Sequence, residues 1–92
     1  MTGVRNNMAD PLAMKNKFYE WTNEMFAQSP FDLKTTNLMS MIAALVIGNQ
    51  GAVSYFYFSA KRAGATDVDL AAVADIAAAA TGLNLYTLMP KE

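Results

Sequence analysis

An all-α fold, a compact helical domain of about five helices, is what this sequence predicts. Three observations carry the prediction. Apolar residues recur at helical spacing along nearly the whole chain. Capping residues stand before several of the apolar runs, and glycine or proline follows them. The composition is 53% apolar and 16% charged over 92 residues, against roughly 45–50% and 25% in an ordinary soluble domain. So many apolar side chains exclude disorder. The length suits one domain, residues 1–92, in which residues 1–9 read as a flexible N-terminal arm. A core built from so short a chain stabilises it only marginally by itself.

The first helix is expected over about residues 11–28. Asp10 caps it and Pro11 takes its first position. Met14, Phe18, Trp21 and Met25 step by four, three and four, and Leu12, Tyr19 and Phe26 widen the stripe. Ser29-Pro30 ends it, because proline disfavours helical geometry in the residue before it. Asp32 caps the second helix. Leu38, Met41, Ile42 and Leu45 form one stripe, while Met39, Ala43 and Val46 fill the opposite side. A helix apolar all round is a buried one.

Gly48 suits the C-terminal cap of that helix, and Asn49-Gln50-Gly51 reads as the turn after it. Tyr55, Phe56, Tyr57 and Phe58 have the propensity of a strand. Lys61 and Arg62 in a last turn, with Gly64 beyond, favour a helix over 52–63 instead. Four consecutive aromatics point around a helix in all directions, so in a monomer at least one meets water. Thr66 and Asp69 make a capping box for the next helix. Leu70, Val73, Ile76 and Ala77 form its stripe, and its many alanines allow close packing. Gly82 is expected to end it, leaving Leu83 to Met89 as a short fifth helix before Pro90.

Several functions are excluded by composition. With no Cys and no His, the chain forms no disulfide, no thiolate or imidazole metal site, and no catalytic triad that uses His. A net charge of −1 provides no cationic excess to neutralise phosphates, so nucleic acid is not an expected partner. The seven methionines read as core fillers rather than soft-metal ligands, and no cofactor is expected. Gly48-Asn49-Gln50-Gly51 lacks the lysine and spacing of a phosphate loop. Asp75, alone among alanines, reads as an exposed residue. The alternative is a pairing with Lys61 or Arg62 across a subunit contact.

Met1 to Asp10 has no apolar core of the kind a secretory signal needs, and a cytoplasmic location is expected. No charge occurs between Lys34 and Lys61, a stretch long enough to cross a bilayer. The Gly48–Gly51 segment at its centre argues instead for two buried helices meeting at a turn.

The second half resembles the carboxymuconolactone decarboxylase-like and alkylhydroperoxidase-D-like superfamily. The likeness is carried by Leu33-Lys34, the apolar helix from Leu38 to Ile47, Ala60, Ala63-Gly64-Ala65-Thr66, the acidic helix start Asp67–Asp69, and Ala80-Thr81-Gly82-Leu83-Asn84. It covers roughly residues 31–89. Anchored on Gly64, the family's two cysteines fall on Asn49 and Ala52, its histidine on Phe56, and the glutamate of the preceding helix on Asn37. The resemblance implies the fold and argues against both family activities. Asn49 and Ala52 form no thiolate, Phe56 carries no proton, and the amide of Asn37 does not titrate.

A candidate pocket remains where that chemistry would sit, formed by Asn37, Met41, Asn49, Gln50, Ala52, Tyr55 and Phe56, with Ser54 as a further polar contact. The plainer reading places the aromatics in the core and in an oligomer interface, and Asn37 and Asn49 at helix ends and turns. More apolar surface exists than about five short helices cover, so a homo-oligomer is expected. The resemblance, to a family that assembles from intertwined dimers, implies a trimer or hexamer. The expected function is a catalytically silent, oligomeric binding or accessory protein, with either a small apolar ligand or a larger protein complex left open as its partner. Two alternatives stay open. One is an enzyme using Tyr55 or Tyr57 as an acid. The other is an accessory subunit docked on a larger enzyme or membrane complex.

Overall fold

The computed structural model describes residues 11–90, so the expected cap at Asp10 and arm at 1–9 lie outside the described residues. Four helices follow in order: α1 Pro11–Gln28, α2 Leu33–Ile47, α3 Gln50–Arg62 and α4 Asp67–Leu88. Among the described residues there is no strand, and the run Tyr55–Phe58 lies within α3. The chain divides into two units, residues 1–30 and residues 31–92.

The first unit is α1 and the turn after it. Pro11 holds the first helical position, where a missing N–H is no loss, and the helix closes with Ser29 N–H donating to Phe26 O at 3.3 Å. No residue of α1 is buried. Leu12, Met14, Phe18, Trp21 and Met25 are all exposed.

In the second unit α2 is the central helix, packing against both α3 and α4. Asp32 caps it by accepting the Thr35 N–H at 2.7 Å. At its other end Gly48 turns left-handed, with φ of 86°, a region that side chains other than glycine resist. This lets the Gly48 and Asn49 N–H groups bond back to Leu45 O at 3.2 Å and Ala44 O at 3.1 Å, satisfying carbonyls the helix leaves open. Gly64, with φ of 100°, repeats the device after α3. There Ala65 N–H reaches Ala60 O at 2.9 Å and Gly64 N–H reaches Lys61 O at 3.0 Å.

Two expectations about elements are corrected. Gln50 and Gly51 belong to the first turn of α3 rather than to a turn before it, because Asn49 caps that helix directly. Gly82 does not end α4. The helix runs on to Leu88, so the fold has four helices where about five were expected. A mid-helix glycine costs only about 1 kcal/mol against alanine, and the alanines before Gly82 and leucines after it are strong helix formers. The helix stops where it must, as Met89 takes an extended ψ of 136° ahead of Pro90.

The buried apolar residues are Met41, Ala44, Ala60, Ala65, Val73 and Ala77, joined by the polar Thr36 and Asn37. Small residues dominate where α3 and α4 each pack against α2. The buried face of α2 runs through Asn37, Met41 and Ala44; of the expected stripe, Met41 is buried, Leu38 and Ile42 are half-buried and Leu45 is exposed. Leu45, Val46 and Ile47 are exposed, as is Ile76 on α4, so the expected all-round burial of α2 is not reached within one chain. The uncharged stretch from Thr35 to Ala60 is two helices broken at Gly48–Asn49. The one described helix long and apolar enough to cross a membrane is α4.

Candidate functional site

The candidate residues lie on α2 and α3, two helices that pack against each other. Asn37 and Met41 lie on α2, Asn49 and Gln50 at the start of α3, and Ala52, Tyr55 and Phe56 within α3. With the chain reversing at Gly48–Asn49, Met41 and Phe56 stand eight residues before and seven residues after Asn49, at similar depth along the two helices.

Each candidate has a local role. Asn37 is only 4% exposed, and its Nδ2 donates to Leu33 O at 2.9 Å. Thr36 beside it bonds Asp32 O at 2.9 Å through its hydroxyl. These bonds are what make two polar side chains tolerable in the core. Met41 is buried one turn further on. Asn49 accepts the Ala52 N–H through Oδ1 at 3.1 Å, so two of the candidate residues bond each other as a helix cap. Gln50 and Tyr55 are exposed, while Ala52 and Phe56 are half-buried. The Tyr55 ring meets that of Phe56 edge-on at 5.2 Å. Ser54 is exposed.

The four consecutive aromatics divide as their positions require. Tyr55 and Phe58 are exposed, and Phe56 and Tyr57 are half-buried. Lys61 Nζ stands over the Tyr57 ring, 5.5 Å from its centroid, a favourable placement of a cation on a π face. Asp75 is exposed. A shallow hollow of about 390 Å³ lies elsewhere, against the end of α1, lined by Trp21, Glu24, Met25, Gln28, Ser29 and Pro30. None of these was a candidate residue.

Charge concentrates at the N-terminal ends of α2 and α4. The Thr66 box is complete: Asp69 N–H donates to Thr66 Oγ1 at 3.1 Å, and Thr66 N–H donates to Asp69 Oδ2 at 2.9 Å. Lys34 Nζ lies 3.6 Å from the same carboxylate. The Thr66 N–H, with help from Lys34, holds the Asp69 carboxyl below its usual range. The Thr35 N–H does the same for Asp32. Sequence reasoning found the cap but missed the Lys34 pairing, because partners so far apart in sequence carry no local signal. Among the described residues no three His, Cys, Asp or Glu side chains cluster as metal ligands.

These helices and their ends align with a known family model, that of the carboxymuconolactone decarboxylase family, over residues 13–87. The chain belongs to that family. The match reaches back through most of α1, beyond the residues 31–89 that carried the resemblance in sequence. No curated protein and no solved structure matches the chain significantly. Within the family this member has neither cysteine nor histidine anywhere in its 92 residues.

Proposed function

We propose that this carboxymuconolactone decarboxylase family member is catalytically silent and works as an assembled binding or accessory protein. The observation that carries the reading is the pair Asn49 and Ala52. At the positions of a reactive thiol pair, one side chain caps a helix and the other supplies only the N–H it caps. Asn37 is likewise held by Leu33 O, and Phe56 is hydrocarbon. No group among these four donates or accepts a proton in the physiological range.

What the α2–α3 face offers in place of that chemistry is contact surface. Met41 and Phe56 are apolar, Tyr55 is exposed, and Gln50 adds an amide at the rim. Such a mixture suits a small apolar ligand or a protein surface. Exposed apolar residues on every helix support assembly into a homo-oligomer of the trimer or hexamer kind. Asp75 sits near the middle of α4, where a carboxylate would be costly in lipid. That supports a cytoplasmic protein rather than one spanning a membrane.

The test pairs activity assays with native mass spectrometry of untagged protein from its own source. Peroxide reduction and lactone decarboxylation should both stay at the uncatalysed rate. The mass should be a multiple of the chain, bare or with one constant extra component. Turnover above background that survives Tyr55→Phe would overturn the silent reading, and turnover lost with that substitution would point to tyrosine chemistry instead.

A further inference from the structure

The hollow at the end of α1 is built by local sequence. Glu24, Met25 and Gln28 follow Trp21 on the same side of the helix, because that spacing returns to one face. Ser29-Pro30 then stops the helix, and the chain turns there with Ser29 N–H donating to Phe26 O at 3.3 Å. Helix face and turn together border about 390 Å³, toward the lower end of the roughly 300–1,000 Å³ of small-molecule sites. All its lining residues belong to the first unit. None is shared with the candidate residues of α2 and α3.

The chemistry of this lining is one-sided. Trp21 supplies an indole, Met25 a thioether and Pro30 an apolar ring, while Glu24 supplies a carboxylate and no lysine or arginine takes part. Glu24 is in no ion pair among the described residues. The Trp21 ring is packed against Phe18, with centroids 5.9 Å apart, yet it stays 56% exposed. The cation of Lys15 stands over the Tyr19 ring instead, 5.9 Å from its centroid.

We propose that this hollow binds a small quaternary ammonium ion. Indole is the best aromatic seat for a cation, and the Glu24 carboxylate supplies the counter-charge on the same face. The thioether and the proline ring meet the methyl groups. Each simpler ligand satisfies only part of this set. An anion is repelled by Glu24, and a neutral hydrocarbon leaves that charge unanswered. A bare ammonium ion is strongly hydrated and gains nothing from the apolar walls. The site goes beyond the catalytically silent reading and does not depend on it.

The test uses the full chain, whose single tryptophan lines the hollow and reports on it by fluorescence. Tetramethylammonium chloride should change the emission with saturation. Ammonium chloride at equal ionic strength has the charge without the methyl groups, and tert-butanol has the methyl groups without the charge; neither should saturate. Glu24→Gln should weaken binding about fivefold, the equivalent of one exposed charge pair, with unchanged helical circular dichroism. Glu20→Gln makes the same change of net charge outside the lining and should leave binding as it was. A linear response to tetramethylammonium, an equal response to tert-butanol, or equal losses in the two glutamine variants would each overturn the site. So would a tryptophan already shielded from acrylamide in the ligand-free chain, since the hollow would then be covered by protein.

Discussion

Lys34 on the first turn of α2 and Asp69 on the first turn of α4 meet at 3.6 Å, and the same Asp69 oxygen accepts the Thr66 N–H. One carboxylate thus closes a helix cap and ties two helices at their starting ends. An exposed ion pair adds little stability by itself.

Acid should loosen this arrangement. Asp32 and Asp69 both have folded-state pKa values held below the usual carboxylate range by backbone N–H bonds. A lowered folded value stabilises the protein above the unfolded value, and that contribution is lost as pH falls through the folded one. Stability from these two groups should be level above about pH 5 and decline as pH drops below 4. Asp69→Asn should lower the melting temperature at pH 7 and flatten the acid limb of the stability curve. Thr66→Ala, which removes the other half of the box, should cost about 1 kcal/mol. Urea melts from pH 2.5 to 7 read both effects. An acid limb unchanged in the Asp69 variant would sink the account.

Two glycines should respond oppositely to alanine. Gly48 sits at φ of 86° with open space where a Cβ would go, so Gly48→Ala meets only backbone strain and should lose about 1–2 kcal/mol. Gly82 lies inside α4, has ordinary helical φ, and also has open space at its Cβ. Gly82→Ala should gain about 0.5–1 kcal/mol. Denaturant midpoints decide it. A loss at Gly82 would mean that α4 breaks there in solution.

The sequence made some of this legible and hid the rest. Caps at Asp32, Thr66 and Gly64 are local chemistry between residues three to five apart, and a local reading finds them. The end of α4 was misplaced because glycine is both a terminator and a tolerated interior residue. Which it becomes depends on whether a nearby proline offers a firmer stop, as Pro90 does. The buried face of α2 was read only in part, for a different reason. Its hydrophobic pattern selects Leu38, Met41, Ile42 and Leu45, of which Met41 alone is fully buried, whereas packing of α3 and α4 against α2 also buries the polar Asn37 and the small Ala44. That Asn49 and Ala52 bond each other follows from Asn49 being a helix cap, which a reading of Gln50-Gly51 as turn residues obscured.

Identical chemistry at two valines should separate core from surface. Val73 is 3% exposed and Val68 78%, and both lie on α4. Val73→Ala removes two methyl groups from the closest packing against α2 and should cost about 2 kcal/mol. Val68→Ala should stay within about 0.5 kcal/mol of the parent, since alanine also suits a first helical turn. Equal losses at the two sites would show that the buried face of α4 is not the one containing Val73 and Ala77.

Asn49 offers a direct probe of what the family position retains. It caps α3, and a thiolate at a helix N-terminus is stabilised by the unpaired N–H groups and the helix dipole. Asn49→Cys, in a chain with no other cysteine, should therefore titrate below the ordinary thiol value of about 8.5. The pH dependence of alkylation by iodoacetamide reads that value without interference from any second thiol. Loss of the asparagine cap should lower stability by about 1 kcal/mol, so the measurement belongs well below the melting temperature. The same variant should still fail to turn over peroxide. A thiolate alone supplies the nucleophile, but Phe56 and Asn37 have no proton to give the leaving oxygen. A thiol titrating at 8.5 or above would show that the start of α3 does not act as an anion-favouring end. Catalytic turnover in the single variant would show that other residues already perform proton transfer there, and the silent reading would fall with it.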